Sequence, residues 1–179
     1  AKVAVADSLN TDYFAAQVLY ELTKFHQGNH NENALFHVEL QRLKFMKTAG
    51  VMPDLEQKYY QGLERLTQSY QNKPFSSEAW YEIALVHNQR ANSYSHLGDT
   101  TNRWENKRAL EICKEVQHKF PDTYGAQMCA ALENQIKTKT LAVRLEAAVP
   151  VNQKDLIFIE YKNVDQLYYK VVAYDYKKY

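Results

Sequence analysis

Apolar residues recur at helical spacing from about residue 10 to 138 and then at every second position from about residue 140. That single change of period confines the chain to an α+β fold with its helices first and its strands last. Phe14, Val18, Leu22 and Phe25 form the first stripe, ending near Gly28 and Asn29. Phe36, Leu40, Leu43 and Met46 form the second, closed by Gly50 and Pro53; Leu55, Tyr59, Leu63, Leu66 and Tyr70 form the third, followed by a loop with Asn72 and Pro74. Ser76 or Ser77 is placed to cap the fourth, which runs through Trp80, Ala84, His87, Ala91 and Tyr94 to Gly98. Thr100 or Thr101 then caps a fifth, with Ala109, Ile112, Cys113, Val116 and Phe120, which Pro121 ends. Asp122 or Thr123 opens a sixth, with Ala126, Cys129, Ala130, Leu132 and Ile136 facing inward. Short connections make neighbouring helices antiparallel, so residues 1–138 read as stacked αα-hairpins.

Residues 139–179 read as a separate β segment. In Leu141, Val143, Leu145, Ala147 and Val149 every second residue is apolar, with Arg144 and Glu146 on the other face. Pro150 and Asn152 mark a turn, Leu156 to Tyr161 a second strand, and Leu167 to Tyr176 a third. Three strands in about forty residues make a marginal sheet, which leans on the helices or belongs to a larger domain.

The helical part carries one degenerate tetratricopeptide-like unit. Trp80, Ala84 and His87 stand where the first helix of such a repeat places an aromatic, a small residue and a ring, and Ala109, Cys113, Val116 and Pro121 match the second helix. The stretch from Asn92 to Glu105 is longer than a repeat turn needs, so a regular array does not follow. Trp80, Tyr81, Tyr94 and Trp104 read as core packing or as the lining of a peptide groove, and Tyr59, Tyr60, Tyr81 and Trp104 are the candidate interaction surface.

No catalytic or cofactor chemistry can be written from the motifs. The five glycines are too scattered for a GxGxxG, a Walker loop or a GxSxG elbow. The histidines, His26, His30, His37, His87, His96 and His118, lie in no HExxH, there is no CxxC pair, and a zinc site around His37 and Glu39 has no spacing to support it. Glu56, Glu64, Glu78 and Glu82 read as solvated helix positions. Neither cysteine has a nearby base that spacing can nominate. The chain is therefore expected to be non-enzymatic, with no metal or cofactor. Its 22 basic against 21 acidic residues supply no overall pull toward nucleic acid or lipid. It lacks an apolar run long enough to span a bilayer and shows no signal peptide, and its first residue, Ala1, suits a processed protein.

Cys113 lies eight residues before Pro121 and Cys129 eight after it. If Pro121 marks the turn of a helical hairpin, the thiols stand at one height, and the small Ala109, Gly125, Ala126 and Ala130 allow a close approach. Two readings stay open: a disulfide, which implies an oxidising compartment, or two buried thiols acting as small apolar residues.

Two stretches carry a family resemblance. Ala109-Leu110-Glu111-Ile112-Cys113 through Lys119-Phe120-Pro121-Asp122-Thr123-Tyr124-Gly125-Ala126, with Cys129 and Ile136, is similar to the helical N-terminal region of the large alpha-2-macroglobulin-like proteins of Bacteroidetes-type bacteria. Ile159-Glu160-Tyr161-Lys162-Asn163-Val164-Asp165-Gln166-Leu167-Tyr168-Tyr169-Lys170-Val171 resembles the opening strands of that family's first macroglobulin-type β-sandwich. The resemblance spans about residues 105–176. It implies a protein of the periplasm or cell surface, membrane-associated only through segments outside this stretch, in a family linked to trapping or inhibiting proteases. Some members carry a thioester built from Cys-x-Glu-Gln, and no such motif occurs here. The implied role is a non-catalytic scaffold or docking piece whose protein partners, proteases among them, are engaged through other domains of the parent protein. The alternative is a self-contained helical-repeat adaptor that binds protein or peptide in the cell envelope.

Overall fold

The computed structural model describes residues 11–50, 53–95, 97–146, 154 and 156–172. Six helices come first: α1 (Thr11–Gly28), α2 (Glu32–Ala49), α3 (Leu55–Ser69), α4 (Ser77–Ala91), α5 (Glu105–Lys119) and α6 (Tyr124–Lys137). Two strands follow, β1 (Thr140–Leu145) and β2 (Ile157–Lys162). The chain divides into two compact units, Ala1–Ile136 and Lys137–Tyr179.

Helix ends follow local chemistry, with some shifts from expectation. Asn31 caps α2, its side chain accepting from the Ala34 N–H at 3.1 Å, and Thr123 caps α6, its hydroxyl accepting from the Ala126 N–H at 3.2 Å. Ser76, by contrast, makes no capping bond, because a single 3-10 turn over Pro74–Ser76 runs straight into α4 with Ser76 already in helical geometry. Neither Thr100 nor Thr101 caps α5, which starts later, after Trp104, again without a side-chain cap. The intervening residues form turns, and α4 stops at Ala91, short of Tyr94.

Helix α4 is the centre of the helical unit. One of its sides, with Ala79, Ile83 and Val86, packs with Phe36 and Leu40 of α2 and Tyr59, Leu63 and Leu66 of α3. Another, at Ala84, joins Ala109, Cys113 and Val116 of α5 and Ala126, Cys129, Leu132 and Ile136 of α6. A helix buried on two sides carries polar groups inside as well: Ser77, Glu82 and His87 of α4 are buried beside Ala79, Ile83, Ala84 and Val86.

The stripe on α1 is the clearest departure. Phe14, Val18 and Phe25 are 51%, 58% and 61% exposed. The helix lies against α2, and the half-buried Ala15, Ala16, Leu19 and His26 with the buried Thr23 lie on the face about a third of a turn from the stripe. Helix α2 covers that face, so the bulky stripe is left outside.

In the second unit β1 and β2 pair antiparallel, with Leu141 opposite Tyr161, Val143 opposite Ile159 and Leu145 opposite Ile157. These six side chains share one face of the ribbon because the pleat repeats every two residues. Thr140, Ala142 and Arg144, opposite Lys162, Glu160 and Phe158, share the other, where Arg144 and Glu160 form an ion pair at 3.6 Å. The expected third strand is not formed over residues 167–172, which are irregular, since an alternating sequence makes a strand only where a partner edge takes up its hydrogen bonds. Ala147, Val149, the turn at Pro150 and Asn152, and residues 173–176 lie outside the described residues.

Candidate interaction surface

Two buried polar chains run across the helical unit, and both pass through α4. In the first, the Tyr59 hydroxyl on α3 donates to Glu82 Oε2 at 2.8 Å, and Glu82 Oε1 takes an ion pair from Lys44 on α2 at 2.5 Å. In the second, His87 Nδ1 meets Glu105 Oε2 on α5 at 2.6 Å, and His87 Nε2 lies 3.3 Å from the Tyr60 hydroxyl. The remaining oxygen of Glu105 accepts from Arg108 Nη1 at 2.7 Å. Glu82 is thus not a solvated position but a buried carboxylate with two partners. Burial, reinforced by the Glu82 charge, pushes the Tyr59 phenol far above its ordinary range, and burial raises Tyr60 in the same direction.

A carboxylate behind a histidine that faces a hydroxyl is the order used to activate a nucleophile. Here the hydroxyl is a phenol whose pKa burial raises, and His87 is only 6% exposed. Neither residue lines the neighbouring open cleft of about 560 Å³, which is bordered by Lys47, Leu55, Glu56, Gln89, Arg90, Ser93 and Asn102. The chain of contacts therefore works as a polar clamp between α3, α4 and α5, each member satisfying the next.

The four aromatics chosen as an interaction surface do not share one. Tyr59 is core, 3% exposed, with its ring under Lys47 and its hydroxyl on Glu82. Tyr60 packs against the same α2–α3–α4 core, whereas Tyr81 packs against the α4–α5–α6 core. Only Trp104 is open, 59% exposed, at the start of α5 with the Arg103 guanidinium 4.9 Å from its ring. A tyrosine at helical spacing satisfies core and surface equally from sequence; the buried Glu82 that accepts its hydroxyl decides. Tyr59→Phe is accordingly expected to cost about 1–2 kcal/mol, by leaving Glu82 short of a donor. Trp104→Ala should stay within about 0.5 kcal/mol. Urea unfolding of both variants checks the contrast, and equal midpoints would contradict it.

Apolar surface is presented instead by α1, where Phe14, Gln17, Val18, Glu21, Leu22 and Phe25 line a shallow groove of about 580 Å³. The histidines do not gather: among the described residues no group of three or more His, Cys, Asp or Glu could hold a metal. His37 lies 3.8 Å from Glu78, and His96 lies outside the described residues. No helix among the described residues is long and apolar enough to cross a membrane.

Cys113 and Cys129 are free thiols, buried in one core cluster. A hydrogen bond between them lowers the pKa of Cys113 and raises that of Cys129, with burial adding to the rise. Comparison with family models, with curated proteins and with solved structures finds no match to this chain.

Proposed function

We propose that this chain is a non-catalytic interaction scaffold, the N-terminal part of a large alpha-2-macroglobulin-like protein of the cell envelope. In this reading the helical unit is a docking platform and the β1–β2 ribbon is the first strand pair of a macroglobulin-type sandwich. Protease trapping resides in other domains of the parent protein, and the compartment is the periplasm or cell surface.

The observation that carries the reading is the ribbon's divided chemistry. Leu141, Val143, Leu145, Ile157, Ile159 and Tyr161 fall on one face, and all but the half-buried Ile159 are exposed. A two-stranded hairpin is marginal in water, and a wholly apolar sheet face is what a sandwich buries against its second sheet, about 10 Å away. The buried use of His87, Glu82 and Glu105 further supports a scaffold, since these groups are consumed in holding helices together.

The test is the coding locus. Sequencing downstream of the Tyr179 codon is expected to find an open frame continuing into β-rich domains. A stop codon directly after Tyr179 would overturn the proposal.

A further inference from the structure

Helices α5 and α6 place two cysteines, Cys113 and Cys129, in one core cluster. Cys113 and Cys129 are both 0% exposed. They sit among Ala84, Ala109 and Ala126, which contribute little bulk between the helices. One turn further along, the Gln117 side chain donates to the Cys113 carbonyl at 3.1 Å and to the Glu133 carboxylate at 2.9 Å. That bridge fixes α5 against α6 beside the thiols. We propose that Cys113 and Cys129 form a redox-closable dithiol, oxidised to an intrachain disulfide by a low-molecular-weight disulfide of the glutathione type, which staples α5 to α6.

The chemistry balances as two exchanges. The Cys113 thiolate attacks one sulfur of the external disulfide, forming a mixed disulfide and expelling one thiolate. Cys129 then loses its proton and attacks the Cys113 sulfur, forming the Cys113–Cys129 bond and expelling the second thiolate. Two electrons and two protons pass from the protein to the small molecule, which leaves as two thiols. Either cysteine can begin the exchange, and the other then resolves the mixed disulfide. Burial makes access the controlling step. The small molecule reaches Cys113 when α6, the last helix of its unit, opens locally. Reclosure then favours the resolved product, because a glutathione-sized adduct does not fit a core in which both cysteines are fully buried.

The proposal stands apart from the assignment of function and survives its failure. Reduced full-length chain is incubated with oxidised glutathione in two arms, one native and one refolded from urea, and each is analysed by intact mass and non-reducing peptide mapping. The expected product in at least one arm has lost two hydrogens, carries no glutathione and yields a Cys113–Cys129 linked peptide pair. Its thermal midpoint should lie about 5–10 °C above that of the reduced chain. Cys129→Ser should hold glutathione on Cys113, and Cys113→Ser should hold it on Cys129. If either variant fails to fold, the wild-type mass decides alone. Stable glutathione adducts on the wild type, intermolecular cross-links, or unchanged mass in both arms would overturn the proposal.

Discussion

Glu105→Ala should lower the unfolding free energy by about 2–3 kcal/mol, because it leaves the buried His87 Nδ1 without its hydrogen-bond acceptor. Glu105 is 5% exposed and opens α5, yet both its oxygens are occupied, one by His87 Nδ1 at 2.6 Å and one by Arg108 Nη1 at 2.7 Å. The Arg108 side chain is 61% exposed, so its share is screened and small. The His87 contact is where the cost lies. Without the carboxylate, His87 Nδ1 loses its acceptor inside the unit, and the Nε2 contact to the Tyr60 hydroxyl loses the group that orients the ring. Glu105 also places negative charge in the first turn of a helix that has no side-chain cap, which favours the helix N-terminus. Glu105→Gln keeps the shape and one hydrogen bond, and should cost about 1–2 kcal/mol. Urea unfolding with unchanged slope checks both variants. A midpoint for Glu105→Ala equal to that of wild type would show that the clamp contributes nothing.

Most of the helical order could be read from spacing because α2 to α6 bury much of the stripes their sequences display, although Met46 of the α2 stripe is exposed and α4 also buries Ala79, Ile83 and Val86 outside its stripe. Phe36 and Leu40, Leu63 and Leu66, and Cys129 and Leu132 are all core. Helix α1 shows what spacing leaves open: beside its bulky stripe, about a third of a turn away, runs a second packable face with Ala15, Ala16, Leu19 and Thr23, and α2 took that one. The buried carboxylates were missed for a different reason. Taken alone, Glu82 follows the usual rule that glutamate is solvated. Its neighbours Ala79, Ile83, Ala84, Leu85 and Val86 leave α4 little polar surface, and that is the signal that Glu82 and His87 lie inside and need partners. The first strand was legible from alternation and the second from its short apolar run, Leu156 to Ile159; the third was not, since alternation in Leu167 to Val172 carries no information about whether an edge is available to pair with it.

Gly125→Leu is expected to destabilise the helical unit by more than about 3 kcal/mol, as overpacking against main chain that cannot rotate away. The reason lies in the crossing of α6 over the start of α4. A Cβ placed on Gly125 would stand 2.5 Å from the Ser77 carbonyl oxygen and 2.6 Å from the Glu78 nitrogen. Ser77 itself is 1% exposed and opens a helix with core on two sides, so it has nowhere to retreat. Gly125→Ala separates the competing effects. Alanine gains up to about 1 kcal/mol of helix propensity over glycine, while the forced contact costs about 1–3 kcal/mol, so the contact wins and the variant should be less stable than wild type. Gly28 supplies the control, because it ends α1 and a Cβ there meets nothing within 4 Å. Gly28→Ala should therefore show the propensity gain alone, about 0.5–1 kcal/mol. Thermal or urea unfolding of the two alanine variants should give shifts of opposite sign. Stabilisation by both would mean that α6 does not rest on α4 at Ser77, and would remove the close crossing that lets Cys129 sit in one core with Cys113.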